Sequence, residues 1–496
     1  MRVPWCHPAR RQASAGTHMI DIRRPLPRLP NFPPFGPPNS RFNCGRPMRH
    51  VQHRISANIL LDGILLLVIN ITTMQNYSIL SLARNALSGH RNWQRAWRSP
   101  PLQERYDVIV IGAGGHGLAT AYYLAREFGI SNVAVLDRGW LGGGNIARNT
   151  VTIRSNYMRD ESIPFYVKSV AMFEGLTREL NFNMMHSKRT MVDVVQTYPK
   201  MRELRRRQLT MDLHGATYEQ ISTAELRRRI PALTGGGQNA RLPIIGGMVH
   251  TDAAVNRHDA VAWGYARAAD ALGVEIHQQT AVKSLIRDAH GAIEGVETNR
   301  GTIRAKKVVV AVSGHTTTVT ETAGLRLPLR TMNLTAFVSE PVKPLVDVIV
   351  NCPDSGFYFS QSDKGEMVIG GAPDMGQSFR RDIKQHVFED TVSAMLSLFP
   401  AFKKLKLMRQ WGGHLDIAHD SSPVMSKTDV DGLFVTAGWW GGYKAIPAGG
   451  LTLAHLVAKG APHPLMAPFT LDRFRHLDFE RIWHDGQIID PFGRSH

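Results

Sequence analysis

Cysteine is scarce in this sequence, and the common metal-binding patterns are missing. The 496 residues include three cysteines, Cys6, Cys44 and Cys352, and only Cys352 follows residue 73. The body of the chain therefore cannot form an internal disulfide, which favours a reducing compartment, and we expect a cytoplasmic protein. After residue 73 no C-x-x-C, H-x-x-H or carboxylate cluster with metal-ligand spacing occurs, so we expect no protein-bound metal.

Long apolar runs are missing as well. The only membrane candidate has an unbroken apolar part at residues 64–69, bracketed by Asp62 and Asn70. This part is far shorter than the roughly 20 residues that a membrane-spanning helix needs. No clear signal-peptide cleavage site follows it, so the sequence predicts no membrane association.

The net charge of +18 is unevenly distributed along the chain. Residues 1–73 hold ten arginines, no lysine, two acids and ten of the 28 prolines, so they carry +8 and show no periodicity that predicts a core. The remaining +10 is spread along the chain without a basic run longer than three residues. That distribution favours anionic small molecules as ligands, and we expect no nucleic-acid binding.

Residues 1–73 are interpreted as a disordered extension, or as upstream sequence translated from a misassigned start codon. A targeting segment is the alternative. Met74 opens the stretch MQNYSILSLARNALSGHRNWQRAW, which is typical of a natural start. Its apolar residues repeat at helical spacing, so we predict a helical arm within residues 74–104.

The most informative stretch is RYDVIVIGAGGHGLATAYYLAREFGISNVAVLDRG. Residues 106–111 have the short, β-branched pattern of a buried parallel strand, and residues 133–136 form a second one. Between them lies a predicted helix that begins with the spacing G-x-G-x-x-G. The three glycines are Gly112, Gly114 and Gly117.

Each part of this motif has a physical role in binding an adenine dinucleotide. Gly112 permits a tight turn, Gly114 lets the backbone approach a pyrophosphate, and Gly117 lets the helix pack on the strand. The helix N-terminus presents free N–H groups to the phosphates. Asp137, 20 residues after Gly117, can accept hydrogen bonds from ribose hydroxyls.

Two further strands are predicted far along the chain, at residues 308–312 and 433–436, each followed by glycine. They indicate an α/β fold in which distant segments form one sheet around an inserted domain. The inserted segments predict an antiparallel β domain, because residues 357–369 alternate around a Ser-Asp-Lys-Gly turn. The pattern fits two-domain flavin amine oxidases better than a nicotinamide dehydrogenase.

A helix is predicted after residue 255, with Val261, Tyr265, Ala268 and Leu272 as its apolar stripe. His258 lies at its entrance. From the pattern alone this histidine can be a cap, a core residue or a reactive group.

Several blocks together make the chain resemble the family of β subunits of heterotetrameric sarcosine oxidase, in register from about Met74 to the C-terminus. They include YDVIVIGAGGHGLATAYYLA, NVAVLDRGWLGGGNIARNTVTIRSNY, NRHDAVAWGYARAADALGV, WGGHLDIAHDSSPV and GGYKAIP. The resemblance implies a two-domain fold like that of D-amino-acid oxidase, with a Rossmann-type FAD domain and an antiparallel β substrate domain.

We place the domains on this basis. The expected discontinuous FAD-binding domain is 105–186, 248–325 and 405–465, and the substrate domain is 187–247 and 326–404. Residues 466–496 are expected to form a C-terminal tail.

The resemblance also implies two flavins and several partner subunits. FAD is expected to bind noncovalently at the glycine motif, and FMN to be attached covalently through His258. Tetrahydrofolate and NAD are expected on a large α subunit, and small γ and δ subunits complete the assembly. The implied reaction demethylates sarcosine to glycine, reduces oxygen to peroxide and passes the one-carbon unit to tetrahydrofolate.

Residues are assigned to the site by the same resemblance. Arg154 and Lys444 are expected to bind the substrate carboxylate. The expected FAD contacts, besides the three motif glycines and Asp137, are Gly115, His116, Asn145, Thr150, Thr152, Val282, Gly441 and Gly442.

One loop departs from the family pattern and leaves alternatives open. The segment GWWGGYK, residues 438–444, is one residue shorter than usual and carries a bulky Trp440. The substrate can therefore be another N-methyl amino acid such as dimethylglycine. Further alternatives are an oxidase or dehydrogenase with a single flavin, and a noncatalytic flavoprotein subunit that acts as a scaffold.

Overall fold

The computed structural model describes residues 79–89, 91, 98 and 100–474. The predictions for residues 1–73 and 475–496 lie outside these residues. The chain divides into two compact units, Met1–Asn92 and Trp93–His496. In the first unit the structure describes one helix, α1 (Ile79–Leu87), inside the predicted helical arm.

The second unit contains all the described strands and the remaining helices. The strands are β1 (Val108–Ile111), β2 (Val133–Leu136), β3 (Thr152–Ile153), β4 (Ser187–Val195), β5 (Glu219–Ile221), β6 (Gly246–Val255), β7 (Glu275–His277), β8 (Val282–Arg287), β9 (Ile293–Thr298), β10 (Gly301–Arg304), β11 (Val308–Val310), β12 (Leu329–Pro341), β13 (Ile349–Cys352), β14 (Phe357–Gln361), β15 (Glu366–Gln377), β16 (Leu407–Ala418), β17 (Val424–Lys427) and β18 (Leu433–Ala437). The helices are α2 (Gly115–Phe128), α3 (Ser162–Glu179), α4 (Tyr198–Leu213), α5 (Thr223–Arg229), α6 (His258–Ala271), α7 (Thr316–Thr320), α8 (Gln385–Leu398) and α9 (Ile446–Lys459).

A six-stranded sheet collects segments from across the chain in the order β17-β18-β11-β1-β2-β7. All pairs are parallel except β17 with β18. In β1, Ile109 lies between Val308 of β11 and Ala134 of β2. The predicted α/β fold with one sheet built from distant segments is confirmed.

Two close backbone contacts fix the turn from β1 into α2. A Cβ on Gly112, whose φ is +109°, would lie 2.5 Å from the carbonyl oxygen of Ala311, and a Cβ on Gly117 would lie 2.0 Å from that of Gly112. Only glycine allows this packing, because an added methyl group would overlap backbone atoms that cannot rotate away. The start of α2 is thereby pressed against the ends of β1 and β11.

A nine-stranded sheet forms the second layer, in the order β16-β12-β15-β14-β13-β4-β6-β3 with β5 paired to β6. Its pairs are antiparallel except β13 with β4. The predicted hairpin is present as β14 and β15. A separate three-stranded antiparallel sheet has the order β10-β9-β8.

The nine-stranded sheet takes strands from several segments that the sequence divided between two domains. Strands β3 and β16, with most of β6, lie in stretches predicted for the FAD-binding domain, yet all three pair within this sheet. The predicted domain boundaries stay a prediction.

The apolar stripe predicted for α6 is partly wrong. Val261 and Tyr265 are fully buried, but Leu272 is 41% exposed and lies just after the last helical residue. The helix instead buries Ala262, Ala266 and Ala269. Small side chains suit this face because α6 packs closely against α2, where bulk would separate the helices.

Two features are missing from the described part of the chain. None of its helices combines the length and apolar content of a membrane span. No three or more of its His, Cys, Asp and Glu side chains come together as a set that could hold a metal ion.

We predict opposite effects for two glycine-to-alanine substitutions inside helices. Gly117→Ala should lower the free energy of unfolding by about 2–3 kcal/mol, because its methyl group overlaps the Gly112 carbonyl. Gly175→Ala in α3, where a Cβ meets nothing within 4 Å, should raise it by about 0.5–1 kcal/mol. Denaturant unfolding of both variants measures the effects, and equal stabilities would contradict this account of the turn.

Candidate functional site

A cavity of about 880 Å³ is lined by the carboxyl ends of the parallel strands and by one face of the nine-stranded sheet. Its size is in the range of cofactor sites. Most of the residues assigned from the sequence line it: Gly112, Gly114, Gly115, His116, Asp137, Asn145, Thr150, Thr152, Arg154, Val282, Gly441, Gly442 and Lys444. Gly117 and His258 are not among its lining residues.

The beginning of α2 leaves room for a dinucleotide. A Cβ on Gly114 would meet nothing within 4 Å, so the backbone at this position is open to the cavity. Gly114 is also the N-cap of α2, and no side chain caps the helix. The free N–H groups of the first turn can therefore donate to a pyrophosphate, and the residues present fit an adenine dinucleotide.

Asp137 is held in place by two backbone donors. Its Oδ2 accepts a hydrogen bond from the Ala113 N–H at 2.9 Å, and its Oδ1 accepts one from the Gly139 N–H at 2.8 Å. Each carboxylate oxygen keeps a further lone pair, so Asp137 can still accept bonds from ribose hydroxyls. The carboxylate thus fixes the glycine turn and lines the cavity at once.

The segment from Asn145 to Thr152 is held in an unusual conformation beside the cavity. Val151 has a φ of +57°, which is rare for a β-branched residue. Its N–H donates to Asn149 Oδ1 at 2.6 Å, which helps to hold this geometry. Asn145 Oδ1 accepts from the His414 N–H at 2.8 Å, and Thr150 Oγ1 donates to the Tyr358 hydroxyl at 3.0 Å. Strained backbone of this kind concentrates at functional sites.

His116 is an uncharged side chain between α2 and the Gly441–Gly442 loop. Its ring stacks on Trp439 with centroids 4.3 Å apart, and its Nε2 lies 3.0 Å from the Gly442 carbonyl oxygen. Burial lowers its pKa to about 4, more than the Gly442 hydrogen bond raises it. The imidazole is therefore neutral at pH 7 and packs as part of the cavity wall.

Arg154 follows β3 and points its guanidinium toward a tyrosine. Its Nη1 donates to the backbone oxygen of Asn156 at 3.1 Å and to Asn156 Oδ1 at 2.7 Å. The guanidinium carbon lies 4.9 Å from the centre of the Tyr157 ring. Since Nη1 makes both bonds, the remaining guanidinium N–H groups stay available to a carboxylate.

Lys444 is buried in the turn between β18 and α9. Its Nζ donates to the Gly441 carbonyl oxygen at 3.1 Å and lies 5.9 Å from the Tyr157 ring centre. A Cβ on Gly441 would lie 2.4 Å from this Nζ, so a side chain there would force the ammonium group to move. Burial lowers the pKa of Lys444; Tyr157 raises it and Arg154 lowers it further.

Arg154, Lys444 and Tyr157 form one electrostatic group. Burial raises the pKa of Tyr157, but the two cations outweigh it and the pKa is lowered overall. Tyr166 stacks on Tyr157 with ring centres 3.8 Å apart. The structure therefore brings the two residues assigned to the substrate carboxylate around the same aromatic ring.

The cavity wall is strongly cationic. Eight lysines and arginines line it, against three carboxylates, Asp137, Glu203 and Asp416. Such a surplus favours anionic ligands, as both a dinucleotide and an amino acid carboxylate are.

Sequence reasoning missed Tyr157, which contacts both cations without lining the cavity, and two lining residues, Lys200 and Arg207. The last two lie on α4, whose pattern YPKMRELRRRQLTMDL is dominated by charge. In a run of three arginines, nothing in the sequence shows that Arg207 is buried while Arg206 is exposed. Tyr157 lies within a quoted block, three residues after Arg154, and that proximity was the available signal.

His258 lies outside the cavity, as the first residue of α6. It is half-buried, between Arg257 and Asp259, whose side chains pair with each other through two hydrogen bonds. Burial lowers the pKa of His258, Asp259 raises it and Arg257 lowers it. The ring is therefore neutral at pH 7 with a nitrogen lone pair available.

Comparison with known proteins assigns the chain to a family. Residues 107–456 match the model of FAD dependent oxidoreductases. The chain is 45% identical over 418 residues to sarcosine oxidase subunit beta of Rhodobacter capsulatus, covering 84% of this chain and 98% of that protein. It is 39% identical over 400 residues to the Arthrobacter protein of the same name, covering 80% and 96%.

Solved structures of related fold extend this comparison. L-proline dehydrogenase from P. horikoshii matches with a TM-score of 0.69 at 22% identity, covering 76% of this chain and 99% of that one. Glycine oxidase from Geobacillus kaustophilus matches with a TM-score of 0.67 at 21% identity, covering 74% and 99%. At this identity the likeness concerns the fold.

We predict that His116 makes the fold sensitive to acid. Its pKa is about 4 in the folded chain and 6.5 without the fold, so the unfolded chain takes up the proton first as pH falls below 6.5. The stability of the wild type relative to His116→Gln should then decrease toward pH 4.5, by at most about 1.4 kcal/mol per pH unit.

Thermal unfolding midpoints between pH 7.5 and 4.5 measure this decrease, since the midpoint follows stability (~2–4 °C per kcal/mol). The exposed His290, replaced by Gln, provides the matched control. Parallel curves for the wild type and His116→Gln would show that folding does not shift the pKa of His116.

Proposed function

The chain belongs to the FAD dependent oxidoreductases and, among them, to the sarcosine oxidase β subunits, and we propose that it demethylates sarcosine oxidatively to glycine. One observation carries this proposal. Arg154 after β3 and Lys444 after β18, far apart in sequence, meet around Tyr157 at the cavity that also holds the open Gly114 turn.

Arg154 and Lys444 bind the substrate carboxylate in this proposal. The guanidinium can donate two parallel bonds to a carboxylate, and Nζ of Lys444 has N–H groups beyond the one bound to Gly441. Both cations are held by contacts within the protein, so little side-chain freedom is lost when substrate binds. This clamp orients the N-methyl group relative to the rest of the cavity.

The cationic wall also acts on the substrate amine. Positive charges nearby disfavour an ammonium group, which lowers the pKa of the bound secondary amine. The amine can then react in its neutral form without a strong base on the protein. When bound, FAD supplies the hydride acceptor, and FMN supplies the route by which electrons reach oxygen and form peroxide.

We propose His258 as the attachment point of FMN. A carbon–nitrogen bond to the flavin requires an unprotonated ring nitrogen, which burial and Arg257 favour at this position. The pair of Arg257 with Asp259 holds the carboxylate beside the ring. Because His258 does not line the large cavity, this second flavin has its own site.

The proposed assembly contains α, γ and δ subunits, with tetrahydrofolate and NAD bound on α and the one-carbon unit passed to tetrahydrofolate. The word subunit in the relatives' names supports a multichain complex. Exposed apolar side chains near the start of α6, Trp263 at 46% and Met185 at 44%, are available for a partner chain. The free, buried Cys352 supports the cytoplasm as its compartment.

A second candidate substrate is dimethylglycine, because the bulky Trp440 departs from the family pattern. This side chain lines the cavity in the loop that is one residue short, so the wall next to the amine differs from the family pattern. If the protein is instead an oxidase or dehydrogenase with a single flavin, His258 stays unmodified. A noncatalytic scaffold is disfavoured, because the cationic clamp would then have no purpose.

Arg154→Met should raise the KM for sarcosine by about 10–100-fold, since a charged hydrogen bond contributes about 1.5–3 kcal/mol. FAD should remain bound, because Arg154 is not among the residues assigned to the FAD site. Steady-state kinetics with sarcosine and dimethylglycine measure the effect and rank the two substrates. Arg206→Met, an exposed arginine on α4, is the matched control. An unchanged KM in Arg154→Met would remove this residue from the substrate site.

His258→Asn should abolish the covalent flavin and leave the extractable FAD unchanged. Flavin fluorescence of the denatured polypeptide, together with acid extraction of the holoenzyme, distinguishes the two pools. His290→Asn, at an exposed loop position, should keep both. Wild-type protein without flavin on the polypeptide would favour the single-flavin alternative.

A further inference from the structure

A second, smaller chamber lies next to the large cavity. It measures about 50 Å³ and shares Arg154, Arg207 and Trp440 with the large cavity. Its other lining residues include Asn156, Arg159 and Ser422. Nothing in the proposed demethylation uses this space.

Two buried N–H donors in its lining have no acceptor among the described residues. They are Asn156 Nδ2 and Arg207 Nε. Asn156 is fully buried and Arg207 is 8% exposed. The orientation of the Asn156 amide follows from its contact with Arg154. A guanidinium can only donate hydrogen bonds, so the amide atom facing it must be the oxygen, Oδ1. Leaving such donors unsatisfied costs about 1–3 kcal/mol each, so an acceptor is expected between them.

The charges around the chamber are positive. Asp420 pairs with two arginines: its Oδ2 lies 3.5 Å from Arg159 Nη1 and 2.8 Å from Arg473 Nε. Glu203 is likewise shared between Lys200 and Arg207, the latter at 3.4 Å. For Arg154 the described residues provide no carboxylate partner. Asp193, which also raises the pKa of Arg207, accepts hydrogen bonds from Tyr218 and Asn351. The lining of the chamber itself holds three arginines and no carboxylate, so it retains a surplus of positive charge.

We propose that this chamber binds one small monovalent anion, chloride in the cell, between Asn156 Nδ2 and Arg207 Nε. A volume of about 50 Å³ accommodates a single ion, since one water takes about 30 Å³ of liquid. An amino acid or a phosphate ester does not fit. Two unsatisfied donors in the lining of one cationic chamber favour an anion over a water molecule, which would also need acceptors for its own protons.

The bound anion makes Asn156 and Arg207 positioning residues for the substrate clamp. The ion holds the Asn156 amide from one side, and this amide holds Arg154 from the other. The anion also offsets the repulsion between Arg154 and Arg207. This inference concerns the protein without substrate and is independent of which N-methyl amino acid is oxidised.

The direct test is a crystal structure of the holoenzyme in sodium bromide. We expect an anomalous peak within hydrogen-bonding distance of both Asn156 Nδ2 and Arg207 Nε. The same peak should persist when a carboxylate inhibitor occupies the large cavity. Water density without an anomalous signal, or displacement of the ion by the inhibitor's own carboxylate, would overturn the proposal.

Thermal unfolding provides a test in solution. Replacing gluconate by chloride at constant ionic strength should raise the wild-type midpoint by about 2 °C or more, because the ion binds only the folded chain. Arg207→Met should lose this increase, and Arg206→Met on the same helix should keep it. Asn156→Asp supplies its own negative charge and should fold without chloride dependence, which covers the case that Arg207→Met does not fold. A chloride effect retained in both Arg207→Met and Asn156→Asp would contradict an ion at this place.

Discussion

Close approach of backbone to backbone at the start of α2 is the constraint on which the rest of the site depends. The Gly112 carbonyl lies where a Cβ on Gly117 would be, and the Ala311 carbonyl lies where a Cβ on Gly112 would be. Three segments therefore meet at distances that no side chain permits. The helix end, with its unpaired N–H groups, is aimed into the cavity as a result. Asp137 reinforces this arrangement by accepting the Ala113 N–H.

Positive charge is the second organising feature, and the chain tolerates it by sharing carboxylates and using aromatic rings. Arg154 and Lys444 both face Tyr157, whose ring accepts cations without adding a formal charge. Burial lowers the pKa of Lys444, which shows the electrostatic cost of assembling these groups without a ligand. An anionic ligand would relieve that cost, so the charge of the cavity wall agrees with the proposed binding of a carboxylate.

Strands and turns that depend on local residue patterns were predicted correctly from the sequence. Burial and sheet membership, which depend on tertiary packing, were not. Strand β2 and the hairpin of β14 and β15 follow from residue alternation and turn composition, and the glycine turn follows from its spacing. The burial of Arg207 and the exposure of Leu272 do not, because each depends on how a helix is rotated against its neighbours. Likewise the membership of β3 and β16 in the nine-stranded sheet rests on long-range pairing. The roles of Arg154, Lys444 and His258 came from family resemblance, and the structure adds their surroundings.

The bond from Lys444 to Gly441 has a consequence for how such enzymes diversify. The Lys444 ammonium donates to a carbonyl oxygen of its own short loop, which also carries Trp440. A change in the length of this loop therefore shifts the charge of Lys444 and the bulky side chain of Trp440 together. Variation of residues 438–444 can therefore change which amine fits the cavity, while Arg154 stays the same.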